Sequence, residues 1–222
     1  MMREAIRRLS DRAELLLVTA LCFSWFIVSS LLVLLAGHRR FEMTSGAAAG
    51  AIALELLLLA LSFFILRTRG WTLDRLGLRF SWKAAAAGIP LFILYLLIYL
   101  VTATLLLQVW PGARYALTFR FANSAPFWLL LLFIVVNSFF EETVVTAYVV
   151  TALSRNGAAM AITASTLLRF TYHLYQGPLA SISILPLGLL FGTMFWRWRN
   201  VWPLIVAHTV ANVVALAVMP QG

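Results

Sequence analysis

WLLLLFIVVNSFFEETVVTAYVVTAL, residues 128–153, is an apolar run with two adjacent carboxylates, Glu141 and Glu142, and one amide, Asn137, inside it. Crossing a bilayer takes roughly 20 apolar residues, so the run reads as a transmembrane helix. Six more runs of the same kind surround it, at 14–37, 47–66, 84–110, 158–176, 179–198 and 201–219. They dominate a chain of 222 residues that is 63% hydrophobic and 11% charged, with a mean hydropathy of +0.94, far from the balance of a soluble domain. The expected fold class is all-α, a polytopic transmembrane helical bundle of about seven spans.

The polar gaps Arg155-Asn156-Gly157 and Arg199-Asn200 are too short for anything but antiparallel contact between neighbouring helices. The chain therefore reads as one integrated bundle, divided for description into N-terminal helices over 1–127 and a core over 128–217. Residues 1–12 precede an apolar stretch longer than a signal core and without a small-residue cleavage site, so the first helix is expected to be a retained anchor.

The net charge of +9 does not point to nucleic acid, because the Lys and Arg are dispersed through loops and form no single basic face. They report topology instead. With the N-terminus inside, the inner side holds Arg3, Arg7, Arg8, Arg12, Arg67, Arg69, Arg75, Arg79, Lys83, Arg155, Arg197 and Arg199, and the outer side Arg39, Arg40, Arg114 and Arg120. Twelve cations against four favour an N-inside orientation. Leu73, Leu76, Leu78, Phe80 and Trp82 among the basic residues of 67–83 suggest an amphipathic segment on the inner surface.

Cys22 is the one cysteine, which excludes an intramolecular disulfide and a thiolate metal cluster. No internal repeat, Gly-rich phosphate loop, His-Glu-x-x-His zinc motif or Gly-x-Ser-x-Gly elbow is present. What remains is a set of polar groups inside the spans: Glu55, Asn137, Glu141, Glu142, Arg169, His173, His208 and Asn212. The four charged ones would together cost on the order of 10 kcal/mol if left unpaired in the bilayer, so they must pair, protonate or face a wet cavity.

Asn137 and Glu141, Arg169 and His173, and His208 and Asn212 are each four apart, so three helices each present a polar stripe. Turned inward, the stripes would gather a carboxylate, two imidazoles and two amides around one point, which suits a site that activates water. Glu141 and Glu142 point about 100° apart on a regular helix and are expected to serve different roles. Glu55, alone in the second span, needs no more than a neighbouring Ser or Thr and is left outside this set. Tyr172 and Tyr175 read as interfacial anchors.

In this order, Glu141-Glu142, then His173, then His208-x-x-x-Asn212, the chain resembles the CPBP family over residues 128–217. That family comprises type II CAAX prenyl endopeptidases and bacterial relatives linked to bacteriocin processing and self-immunity. Its first motif is Glu-Glu-x-x-x-Arg, whereas this chain has Thr146 in place of the arginine and Ala147 where glycine is common. Its second is Phe-x-x-x-His, and here Arg169 stands in the phenylalanine position before His173. The third motif is met in full. The two departures read as one change, in which Arg169 supplies the missing cation, pairs with Glu142 and leaves Glu141 free.

The resemblance implies an intramembrane endopeptidase in which Glu141, assisted by His173, activates water while His208 and Asn212 stabilise the oxyanion. Glu142, Arg169 and Asn137 would support them. Implied partners are membrane lipids and a membrane-associated or lipidated peptide or protein. The implied location is a multi-pass protein of a cell membrane, with a prokaryotic setting and peptide maturation or immunity favoured over CAAX processing. No cofactor is expected. The alternative is Zn²⁺ held by Glu141, His173 and His208, a His₂Glu set like that of some catalytic zinc sites. Two other functions stand beside this one, a catalytically inactive membrane adaptor or immunity protein and a small proton-coupled transporter using Glu55, Glu141 and Arg169.

Overall fold

Leucine, valine and phenylalanine at nearly every position of a long run leave the backbone only one way to satisfy its polar groups in lipid, which is an α-helix. The computed structural model describes residues 2–36, 40–114 and 120–218. In chain order the helices are α1 (Met2–Arg7), α2 (Asp11–Ala36), α3 (Ser45–Thr68), α4 (Trp82–Ala86), α5 (Gly88–Val109) and α6 (Phe127–Glu141). A π-helical turn (Glu142–Tyr148) continues α6 into α7 (Val149–Ala152), and α8 (Ala158–Tyr172), α9 (Pro178–Trp198) and α10 (Trp202–Val218) follow. The protein is an all-α polytopic membrane bundle. The one β element among the described residues is a parallel ribbon of two short strands, β1 (Arg40–Met43) and β2 (Arg120–Asn123), which ties the loop before α3 to the loop before α6.

Each of the seven apolar runs forms a helix. Among the described residues five helical stretches are long and apolar enough to cross a membrane: Asp11–Ala36, Ser45–Thr68, Trp82–Val109, Phe127–Ala152 and Pro178–Trp198. The other two, α8 with 15 residues and α10 with 17, are shorter. Gly37, Arg39 and Met219, at the ends of the first and last runs and in the outer loop, lie outside the described residues.

The two short helices are placed by glycine and by a floor of chain beneath them. α8 and α9 form an antiparallel hairpin in which a Cβ at Gly188 would come within 2.8 Å of the Thr166 side chain, and one at Gly192 within 2.9 Å of Ile162. Only glycine permits that approach, the packing mode of small residues in membrane helices. The segment between α3 and α4, where an amphipathic surface segment is expected, is a series of turns that buries Trp71 and Leu76. It underlies the α9–α10 connection: Val201 N–H donates to the Gly77 carbonyl at 3.0 Å, Trp202 Nε1 to that of Leu78 at 3.1 Å, and Asn200 Nδ2 to that of Arg79 at 3.1 Å. Gly77 has φ +68°, and a Cβ there would meet the Arg199 carbonyl oxygen at 2.7 Å. α10 thus starts above this floor.

Around the centre, α3 packs on α6, α2 on α8, and α5 on α9 and α10. One apolar cluster joins α2, α3 and the α6–α7 region through Phe23, Leu58, Leu59, Phe140 and Val145. Another joins α5, α9 and α10 through Leu91, Leu187, Phe191, Leu204 and Ile205.

Candidate active site

Glu141 is the last residue of α6, and the helix widens immediately after it into the π-turn Glu142–Tyr148. Such turns are rare and reset the direction of the side chains that follow. The two adjacent carboxylates both reach one guanidinium. Arg169 Nη1 donates to Glu141 Oε2 at 3.1 Å and Nη2 to Glu142 Oε1 at 2.8 Å. Arg169 is 1% exposed and heads the fully buried side chains of the described residues by volume. The expectation that Arg169 pairs with Glu142 alone and leaves Glu141 free is therefore corrected: the guanidinium bridges the pair, because a planar fork with several donors can hold two carboxylates where an ammonium would favour one.

Thr146, in the position where the family motif has arginine, is part of the same cluster. Its hydroxyl donates to Glu142 Oε2 at 2.7 Å and accepts from Arg169 Nη2 at 3.0 Å. The cation of this cluster comes from α8, through Arg169.

Each imidazole is fixed through Nδ1. His173 caps the C-terminus of α8, and its Nδ1 lies 2.8 Å from the Arg169 carbonyl. A carbonyl can only accept, so Nδ1 carries the proton and Nε2 keeps its lone pair. The His173 carbonyl in turn accepts from Ser181 Oγ at 2.8 Å, which ties the end of α8 to α9. His208 on α10 donates from Nδ1 to Glu142 Oε1 at 2.8 Å, which directs its Nε2 away from the carboxylate. Asn212 lies half-buried one turn further along α10 and has no hydrogen-bond partner among the described residues.

Glu141 is held at both oxygens. Oε2 also accepts from the Tyr172 hydroxyl at 2.6 Å, and Oε1 accepts from Asn137 Nδ2 at 3.3 Å. Both His173 and His208 are near enough to Glu141 to interact with it electrostatically. Tyr172, read as an interfacial anchor, is buried instead, its ring stacked on Phe23 at 5.0 Å. Its position three residues after Arg169 puts the two on one face of α8, which was the available signal. Asn137 Nδ2 donates a second bond, at 2.8 Å, to Glu55 Oε1 on α3, so Glu55 is partnered by an amide where a Ser or Thr was expected.

The zinc alternative does not suit this arrangement. Among the described residues no group of three or more His, Cys, Asp or Glu side chains is set to hold a metal ion. The Glu141 oxygens face a guanidinium, a phenol and an amide, all donors that compete with a dication.

Glu141 is the last of the 15 residues of α6 and sits near the middle of the 26-residue crossing Phe127–Ala152. The hydrogen-bonded set therefore lies near the middle of that candidate span, fed by α3, α6, α8 and α10. Residues 122–214 match the family model described as Type II CAAX prenyl endopeptidase Rce1-like. No curated protein and no solved structure matches the chain. The matched segment carries Asn137, Glu141, Glu142, Arg169, His173, His208 and Asn212, that is, the whole set except Glu55. Over this core the chain is similar to the Rce1-like type II CAAX prenyl endopeptidases.

Proposed function

We propose that the protein is an intramembrane endopeptidase that hydrolyses a peptide bond of a membrane-associated or lipidated peptide or protein. The observation that carries this reading is the buried array in which Arg169 bridges Glu141 and Glu142 while Glu142 holds His208. The catalytic core is 128–217, and the helices of 1–127 buttress it.

Glu141 Oε1, with a single long amide contact, has a lone pair left to orient a water. His173 Nε2 accepts a proton as the water oxygen bonds to the scissile carbonyl carbon. The carbonyl π electrons move to oxygen, and the charge formed there is met by the Asn212 amide and by His208, which Glu142 orients through Nδ1. His173 returns the proton to the leaving nitrogen as the C–N bond breaks, giving an acid and an amine. Arg169 and Tyr172 keep the Glu141 carboxylate in one rotamer throughout, which is the positioning that such a reaction requires.

The setting we infer is the plasma membrane of a prokaryote, N-terminus inside, with a substrate in peptide maturation or immunity. A second reading, an inactive adaptor that keeps the fold, draws on Thr146 in the motif-arginine position.

The test is proteolysis by the purified protein in lipid nanodiscs on a library of membrane-proximal peptides, with Glu141→Gln and chelator-treated protein in parallel. Cleavage lost in Glu141→Gln and kept under chelator is the expected result. Loss under both treatments would demand a metal, and no cleavage by folded wild-type protein would favour the adaptor.

A further inference from the structure

Glu55 is a carboxylic acid in the middle of α3, 2% exposed among leucines, and it lies outside the family-matched segment. Its Oε1 accepts from Asn137, while its Oε2 is buried with no hydrogen-bond partner. An ionisable side chain at this depth that leaves one oxygen unsatisfied is a poor stabiliser, since an apolar residue there would cost less. Its placement makes sense by what it does to Asn137.

The Asn137 amide has two N–H groups, and they point at two carboxyls: Glu55 Oε1 at 2.8 Å and Glu141 Oε1 at 3.3 Å. The shorter bond is to Glu55. An asparagine amide can rotate by half a turn and exchange its oxygen for its nitrogen. With an acceptor on the α3 side only the N–H₂ end can face that way, and its other hydrogen then falls to Glu141. Without the acceptor on α3 the N–H₂ end is free to swing fully onto Glu141 Oε1, which shortens the 3.3 Å contact and shifts the carboxylate oxygen that orients water. We propose that Glu55 is a positioning residue for the active site, setting the direction of the Asn137 amide and, through it, the placement of Glu141. This rests on the endopeptidase reading for its catalytic consequence. It makes α3, which the family match does not include, a working part of the site.

The experiment uses the full chain in nanodiscs as wild type, Glu55→Gln, Glu55→Leu, Asn137→Ala and the Glu55→Leu/Asn137→Ala double variant. Two readouts are taken: kcat and KM on a cleaved peptide, and the infrared carboxylate stretch of Glu141, identified by its loss in Glu141→Gln. Glu55→Gln keeps an acceptor oxygen and is expected to hold kcat within about threefold and leave the band in place. Glu55→Leu is expected to lower kcat roughly tenfold or more with KM nearly unchanged and to shift the band, a size typical of losing a partner that orients an active-site ligand. Once Asn137 is alanine, Glu55→Leu should add nothing. Should Glu55→Leu fail to fold, Glu55→Met, unbranched and of similar length, takes its place. An unmoved band with unchanged kcat in the apolar variants, or fully additive losses in the double variant, would overturn the proposal. The band does not depend on cleavage, so a shift in a protein that cleaves nothing would sustain the Glu55–Glu141 coupling while removing the endopeptidase reading.

Discussion

Two arginines in this molecule each hold two carboxylates, and they do so in opposite surroundings. Arg69, at the end of α3, donates Nε to Glu14 at 2.8 Å, Nη2 to Asp11 at 3.0 Å and Nη1 to the Arg7 carbonyl at 2.8 Å. Its side chain is 16% exposed and that of Asp11 is 80% exposed. Arg169 bridges Glu141 and Glu142 with side-chain exposures of 1%, 8% and 0%, and its Nε has no partner. The wet arginine uses all three nitrogens to bind the N-terminal segment to the bundle. The dry one leaves a donor unmatched, a cost that pure stability would not select, since a buried ion pair is often no better than a well-packed apolar group. Its geometry serves the position of Glu141 and Glu142.

The largest effect should come from removing the dry cation. Arg169→Met leaves two carboxylates buried without charge compensation and is expected to cost about 3–5 kcal/mol in unfolding free energy and to abolish cleavage. Thermal unfolding in detergent and the peptide assay measure the two. The difference between the arginines would vanish if this variant were as stable as wild type.

Asn212→Ala comes next. An oxyanion donor lost from a preorganised site typically costs 10²–10³ in kcat, and because Asn212 bonds to nothing among the described residues, the melting temperature should hardly move. A loss of stability without loss of turnover would make Asn212 a packing residue.

The comparison is sharpened by moving the cation rather than deleting it. Arg169→Phe with Thr146→Arg rebuilds the family pattern, returning the arginine to the helix of Glu141 and Glu142. The double variant is expected to recover at least a tenth of wild-type kcat where Arg169→Phe alone shows none. A double variant as dead as the single would mean that Arg169 acts by more than its charge.

The smallest effect belongs to the wet arginine. Arg69→Ala is expected to cost about 1–2 kcal/mol, most of it from Glu14, which is buried, and little from solvent-screened Asp11. Its kcat should stay within threefold of wild type. Tyr148 of the π-turn donates to Glu14 at 3.2 Å, so a larger fall in kcat would reveal that the two networks communicate.

Much of this was readable from spacing. The helices followed from the length of the apolar runs, and the residues four apart on three of them named Asn137, Glu141, Arg169, His173, His208 and Asn212 as inward-facing groups. The reading failed where local geometry departed from the regular helix. No residue in Glu142–Tyr148 announces the π-turn as glycine or proline announces a turn, and the sharing of one guanidinium by two adjacent carboxylates depends on where α8 packs. Tyr172 was misplaced because a tyrosine near a helix end is more often a membrane anchor than a buried donor. Glu55 was set aside because its partner comes from a helix 82 residues away, a distance that no periodicity within α3 encodes.

Sequence alone determined that this chain is a membrane bundle and that a handful of its residues could not sit in lipid without partners, because hydrophobic length and the cost of buried charge are properties of composition and spacing. Tertiary structure alone decided who the partners are. Arg169 meets both carboxylates because α8 packs beside the π-turn, His208 reaches Glu142 because α10 packs on α6, and Glu55 reaches Asn137 because α3 lies along α6. Hydrogen bonds are satisfied over about 3 Å, and contacts at that range between distant segments exist only once the helices have packed.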